Sequence, residues 1–508
     1  MDIAIIIIYL VAMLAFGFWG KTRTKNSKDF LVAGRRLGPG FYTGTMAAVV
    51  LGGASTVGGV GLGYKFGISG MWLVVAIAVG LLLLSLLFAP AIQRLKVYTV
   101  AQMLQLRYGI NGTQASGIVM ALYTLMLVVT STIAYSTIFH VLFGTERWAS
   151  ITIGAAIVII YSSIGGMWSI TLTDMVQFII KTVGVFFLLL PFSWAQAGGY
   201  DGIVKRLGET VGASHFDLFA IGGDTIITYF VIYTFGMLIG QDIWQRVFTA
   251  RSPQVARWGG TAAGVYCVLY GIAGALIGTA AAAVLPKDAV KDDVYAAMAE
   301  HALPVGLSGI VLAAAVAAMM STASGALIAS ATVARADVMP LLRRLVGRGT
   351  DHSHDIGQGN PEHDIRSNQI YIVVLGVVAT LIALVLNDVV AALTVAYDVL
   401  VGGLLVSILG GLIWKRANGA GAIASMIVGT AVTLGSMVVY GIIAGDALSG
   451  VLANEPIYWG LLSSVVVYVV VSLATKPTPA DVLQRWEDRK AGNFDEETGV
   501  VVVEPQRH

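Results

Sequence analysis

Residues 51–63 read LGGASTVGGVGLG, and residues 229–246 read YFVIYTFGMLIGQDIWQR. Both lie inside apolar stretches long enough to span a bilayer, and both make poor continuous helices. The first carries Gly52, Gly53, Gly58, Gly59, Gly61 and Gly63. Each glycine costs about 1 kcal/mol against alanine in a helix interior. A cluster this dense predicts unwinding near mid-span, although close helix packing through small residues would use the same glycines. The second stretch is interrupted by Gly236 and Gly240, with Gln241 and Asp242 following. Irregular backbone at membrane depth is tolerated only when it is buried in protein or lines a cavity. Two interrupted spans five helices apart, at corresponding places in two halves, are the sequence mark of an inverted-repeat carrier.

The rest of the chain fits that reading. Of its 508 residues 57% are hydrophobic and 12% charged. A soluble domain carries about 25% charged residues and needs them to cover its surface. The N-terminus, MDIAIIIIYLVAMLAFGFWG, has no basic segment before its apolar run and no small-residue cleavage site after it, so it reads as a first retained helix. Apolar runs of about 20 residues predict thirteen spans, ending near residue 475. With the N-terminus outside, 24 Lys and Arg residues fall on the inner side and six on the outer, with Lys181 inside a span. The positive-inside rule therefore orients the chain N-out and C-in. Residues 335–366 form an inner loop whose His352, His354 and His363 read as solvated rather than metal-binding. Residues 476–508 form a polar tail that opens with a short surface helix. One cysteine, Cys267, excludes an intrachain disulfide, and a net charge of +2 gives no reason to expect a nucleic-acid partner.

Several segments, in order, match one family. They are KDFLVAGRRLGP (28–39), YTVAQMLQLRYG (98–109), GGMWSITLTDMVQ (165–177), GQDIWQRVFTARS (240–252), AAMMSTASGALIASAT (317–332) and GLIWKRANGAGA (411–422). Together they resemble the sodium:solute symporter family. The resemblance implies an all-α membrane protein of the leucine-transporter fold. It implies an extra N-terminal helix (1–20), two inverted five-helix repeats (40–195 and 223–414), trailing helices (419–475) and the tail. It also implies a sodium ion, as coupling ion rather than cofactor, held by backbone at Ala54, Val57 and Ala318 and by hydroxyls of Ser321 and Thr322. Such an oxygen set suits a hard cation. Both hydroxyls could equally bond their own helix backbone.

Asp174 matches the family's aspartate near the sodium exit, and it could also stabilise a helix N-terminus. Lys181 lies two turns further along the same face. A lysine at that depth is costly and therefore a functional candidate. It reads as a proton carrier in place of sodium, as in some lysine-bearing relatives of the fold, as a counter-charge to Asp174, or as a snorkelling side chain; its IIK setting also resembles some monocarboxylate permeases of the family, so a proton-coupled or monocarboxylate symporter is the alternative. The resemblance places a small organic solute at mid-membrane, with Ser55, Thr56, Tyr233, Gln241, Thr394 and Asp398 as candidate contacts. Thr56 stands where the sodium/proline pattern has an aspartate, which argues against proline. Gly236 replaces the aromatic gate of the sugar carriers. Asp398, in TVAYDVLVGG (394–403), is a carboxylate inside an apolar span, and its expected partners are a cationic solute, Lys181 or a proton. That favours an amine such as an amino acid or polyamine. Asp242 reads as an i, i+4 partner of Arg246. The chain has no HExxH, P-loop or GxSxG signature of an enzyme and no output domain of a sensor. Its polar residues gather at two breaks rather than along a channel lining. Sodium or a proton, a small organic solute and the lipid bilayer are the expected partners, with the oligomeric state left open.

Overall fold

The computed structural model describes residues 2–109, 113–345, 361–386 and 388–493. Among these residues the architecture is all helical, and the only strand-like contact is an isolated bridge between Leu37 and Ala250. His352 and His354 lie outside the described residues, as does the tail beyond residue 493. The expected tail helix is present as Ala480–Ala491, with Trp486 buried.

Among the described residues eleven helices are long and apolar enough to cross a membrane, or twelve when the bent pair Gly223–Ile239 and Gln241–Val247 is taken as one span. That is short of the expected thirteen. The difference lies at Ala54–Arg94, 41 residues that run on through the tight Gly67–Met71 turn without a gap. A straight helix of that length would reach about 60 Å, twice a bilayer core. The stretch is instead folded on itself. Gly67 takes φ +64°, a Cβ at Gly70 would lie 2.5 Å from the Gly63 nitrogen, and a Cβ at Gly59 would lie 3.2 Å from Val74. These pairings belong to an antiparallel hairpin whose arms meet backbone to backbone beside the turn, at Gly63 and Gly70.

Burial separates a core from a rim. The most apolar windows of Leu307–Arg343 and Val389–Ile413 are 89% buried and that of Ser116–Val141 78%, against 24% for Asp2–Lys21 and 28% for Glu455–Ala474. The sparsely buried helices face lipid, which is as apolar as their own side chains, so little drives them inward. The helix Leu307–Val333 packs against both Thr113–Phe143 and Arg147–Thr182. Its AAAVAAMMSTASG run (313–325), with Ala313–Ala315, Ala317, Ala318 and Ala323 fully or almost fully buried, permits that close approach.

The glycines of residues 51–63 prove to serve both readings given above. Gly59 and Gly63 sit in the hairpin contact, while Gly52 lies beside the interruption itself. Gly70→Val should therefore cost about 1–3 kcal/mol or more, because its Cβ meets backbone that cannot give. Gly435→Ala, with nothing within 4 Å of its Cβ, should be neutral. Thermal melting of the purified variants in detergent distinguishes the two, and equal melting points would contradict the hairpin packing.

Candidate functional site

The first interruption begins where the helix Pro39–Val50 ends. Leu51 leaves helical geometry at φ −92°, ψ 70°, and the chain resumes as a buried π-turn, Ala54–Gly58. The last carbonyls of a helix have no intrahelical donor, and at membrane depth no bulk water supplies one. Three side chains from two other helices do. Ser321 Oγ donates to the Ala48 carbonyl at 2.7 Å, and Thr322 Oγ1 to the Val49 carbonyl at 2.7 Å. Lys181 Nζ donates to the Ala48 carbonyl at 3.1 Å and to that of Leu51 at 3.4 Å. The Ala318 carbonyl lies 2.9 Å from Ser321 Oγ. A Cβ at position 52 would collide with Thr322 Oγ1, so glycine is what lets the two elements meet.

The sequence-expected cation ligands are thus partly gathered. Ala318, Ser321 and Thr322 stand together, but their hydroxyls meet the carbonyls of Ala48 and Val49, before the break. Ala54 and Val57 lie after it, buried in the π-turn. Lys181, fully buried, places its ammonium among the same carbonyl oxygens. That is the negative end of the half-helix dipole, where a cation is favoured.

The second interruption is at Gly240 (φ −63°, ψ 131°), where the chain bends by 47°. The seven-residue helix that follows, Gln241–Val247, is wholly buried and each polar side chain has a separate task. Gln241 accepts from the Val100 N–H at 2.8 Å and donates to the Tyr98 carbonyl at 2.9 Å, fastening the helix to the start of Val100–Tyr108. Asp242 Oδ1 accepts from Tyr123 Oη at 2.9 Å. Gln245 donates to the Leu31 carbonyl at 2.8 Å. Arg246 donates to Asp174 Oδ2 at 3.2 Å, and Thr45 donates to the same oxygen. The expected Asp242–Arg246 pair is therefore not formed: Arg246 reaches across to the Arg147–Thr182 helix, leaving Asp242 to face the interior. Lys181 does not replace Arg246 as the direct partner of Asp174, because its hydrogen bonds go to the break.

Between the interruptions lies a cavity of 30 Å³, with Gly52, Ser55, Ser131, Asp242, Thr322 and Tyr397 in its wall. That volume holds about two water molecules. An organic solute requires the surrounding helices to part. Of the six expected solute contacts only Ser55 lines it. Thr56 is turned to Tyr270, 3.0 Å between their hydroxyls. Tyr233 and Thr394 bond to each other at 3.1 Å, and Gln241 is the structural tie already described. Asp398, one residue past Tyr397, is fully buried, does not line the cavity, and has no hydrogen-bond partner on either oxygen among the described residues.

Asp242 and Tyr397 line the cavity, where Asp398 and Tyr233 do not. Tyr397 stacks edge-on against Tyr123 at 5.4 Å and against Tyr233 at 5.4 Å, forming a ladder of three rings. Its ring occupies the space that a Cβ on Gly236 would fill. The aromatic missing at position 236 is thus supplied from the opposite helix. Asp242 was legible as an intramembrane carboxylate beside a break; the long-range Arg246–Asp174 pair that frees it was not.

Removing Arg246 alone would strand a buried carboxylate, a loss of about 3–5 kcal/mol. Arg246→Met should lower the melting temperature sharply, and Arg246→Met with Asp174→Asn should recover most of the loss. A double variant no better than the single would show that the pair is not the cause.

A sequence model described as the sodium:solute symporter family matches residues 30–429. The osmoregulated proline transporter of Bacillus subtilis is 26% identical, covering 94% of this chain and 96% of the relative. The high-affinity choline transporter 1 of Caenorhabditis elegans is 25% identical, covering 85% of this chain and 77% of the relative. Among solved structures, a substrate-bound, outward-open sodium-coupled sialic acid symporter superposes with a TM-score of 0.77 at 19% identity, covering 94% and 98% of the two chains. At that identity the likeness establishes the fold.

Proposed function

We propose that this chain, which belongs to the sodium:solute symporter family, takes up a small amine-bearing solute together with sodium by alternating access at the cavity between its two broken helices. It is a multi-pass membrane transporter and not an enzyme. In this reading residues 40–195 and 223–414 form the two repeats that rock against each other, with the N-terminus outside and the tail in the cytoplasm of a plasma membrane. The observation that carries the proposal is the cavity itself. A carboxylate, Asp242, an aromatic ring, Tyr397, and the hydroxyl-bearing Ser55 and Thr322 line it together.

The solute class follows from Asp242. A carboxylate at membrane depth needs a positive partner. Arg246 is committed to Asp174, and Lys181 to the carbonyls of Ala48 and Leu51. A cationic amine entering the opened cavity meets Asp242 directly and can lie over the Tyr397 ring, the geometry of a cation–π contact. The likeness to a choline transporter and to proline transporters agrees with an amine, though Thr56 still argues against proline itself. Asp242→Asn should weaken amine binding by about 2–5 kcal/mol, at least thirtyfold, while the protein keeps its fold. Thermal-shift titration against amines, amino acids, monocarboxylates and sugars, with and without sodium, identifies the solute. Unchanged amine affinity in the variant would overturn the assignment.

The coupling ion fits the oxygen cluster of Ala318, Ser321 and Thr322 with the backbone of the first break, including Ala54 and Val57 in a rearranged state. Sodium leaves by way of Asp174. One observation favours a second reading. Lys181 already holds its ammonium at the Ala48 and Leu51 carbonyls, so a proton gained and lost there could stand in for the ion. Proteoliposomes with potassium replacing sodium at fixed pH decide between them. Accumulation should collapse. If it persists, and if Lys181→Met then abolishes uptake driven by a pH gradient, the proton reading replaces the sodium one.

A further inference from the structure

Away from the transport cavity, two adjoining cavities open where the first helix leaves the membrane. One, of 750 Å³, is walled by Arg23, Lys25, Lys28 and Arg36 with a single carboxylate, Asp29. Asp29 is 6% exposed and already engaged by Arg36, and its other oxygen accepts from the Lys25 backbone N–H at 3.2 Å. Among the described residues of its wall, Arg23, Lys25 and Arg36 therefore bring more positive charge than Asp29, committed inside the protein, can balance. The second cavity, of 250 Å³, is lined by apolar Trp19, Leu37, Phe41 and Leu172. Arg23, Arg36 and Trp168 belong to both, so the two are one continuous cleft, charged at one end and greasy at the other.

Its surroundings place it at the membrane boundary. The helix Asp2–Lys21 ends here, the helix Pro39–Val50 begins here, and Trp19 and Phe41 are 48% and 44% exposed on the lipid-facing side. Tryptophan favours that depth, and Lys/Arg clusters immediately outside a spanning helix attract anionic headgroups. The guanidinium of Arg23 lies 5.9 Å from the Trp19 ring centre and that of Arg36 lies 5.6 Å from that of Trp168. Both are thereby held at the junction of the polar and apolar parts.

We propose that this cleft binds one anionic phospholipid, its phosphate among Arg23, Lys25 and Arg36 and the start of its acyl chain along Trp19, Leu37 and Phe41. A free phosphate would satisfy the charged end but leave the apolar end unused. The continuity of the two cavities is what selects a lipid. The proposal stands apart from the identity of the transported solute and the coupling ion.

The test uses the full-length protein in detergent micelles, with native mass spectrometry to count bound lipid. Phosphatidylglycerol should bind in preference to phosphatidylcholine, and Arg23→Gln with Lys25→Gln should lower that preference by about fivefold for each cation removed. Both residues are solvent-exposed, so the fold should survive, which the elution profile and melting temperature check. Lys205→Gln, an exposed lysine elsewhere, should leave the preference unchanged. Phe41→Asp should weaken phosphatidylglycerol without creating a phosphatidylcholine preference. An undiminished preference in the double variant would overturn the site. Full competition by millimolar inorganic phosphate would also overturn it, as a soluble-anion site.

Discussion

A helix that stops in mid-membrane exposes carbonyls with nothing to bond, and the centre of this protein is arranged around satisfying them. Ser321, Thr322 and Lys181 converge on the backbone of Ala48, Val49 and Leu51 from two separate helices. Without those contacts the break would be an unsatisfied polar defect of several kcal/mol per group in hydrocarbon. With them, the first broken span, the Leu307–Val333 helix and the helix carrying Lys181 are fastened at one point. The same oxygens that must be satisfied are the ones a cation would seek. Structural need and ion chemistry therefore share one set of atoms.

The second break is secured differently, by side chains rather than by exposed backbone. Gln241, Asp242, Gln245 and Arg246 each reach a different element, so a helix of only seven residues is tied to four parts of the molecule. Its Arg246–Asp174 pair joins residues 72 apart in the chain. Buried pairs of this kind add little net stability, since desolvation offsets their attraction, but losing one partner is severe. Their value here is geometric: they fix which way the short helix faces and hence where Asp242 points.

Much of this was legible in the sequence. Low charge, apolar runs and glycine clusters are local properties, so the membrane class and the two breaks could be read from residues 51–63 and 229–246. The family motifs supplied the grouping of Ala318, Ser321 and Thr322. What could not be read depends on contacts between residues far apart in the chain. Arg246 has Asp242 four residues away but bonds Asp174, 72 residues away. Tyr233 and Thr394, read from the sequence as solute contacts, bond to each other across 161 residues of chain. The helix count differs from the expected thirteen for another reason: a hairpin whose arms meet at Gly63 and Gly70 has so tight a turn that helix runs on through it and is counted once.

The smallness of the central cavity has a consequence for throughput. The central cavity has room for about two waters, and a ladder of tyrosines is pressed against Gly236 beside it. Close packing at that point leaves an ion little room between the two breaks, and that favours insulation. The same packing must come apart and re-form on every turnover. Tightness against leak and speed of cycling are therefore opposed in one and the same contact, the face of Tyr397 on Gly236.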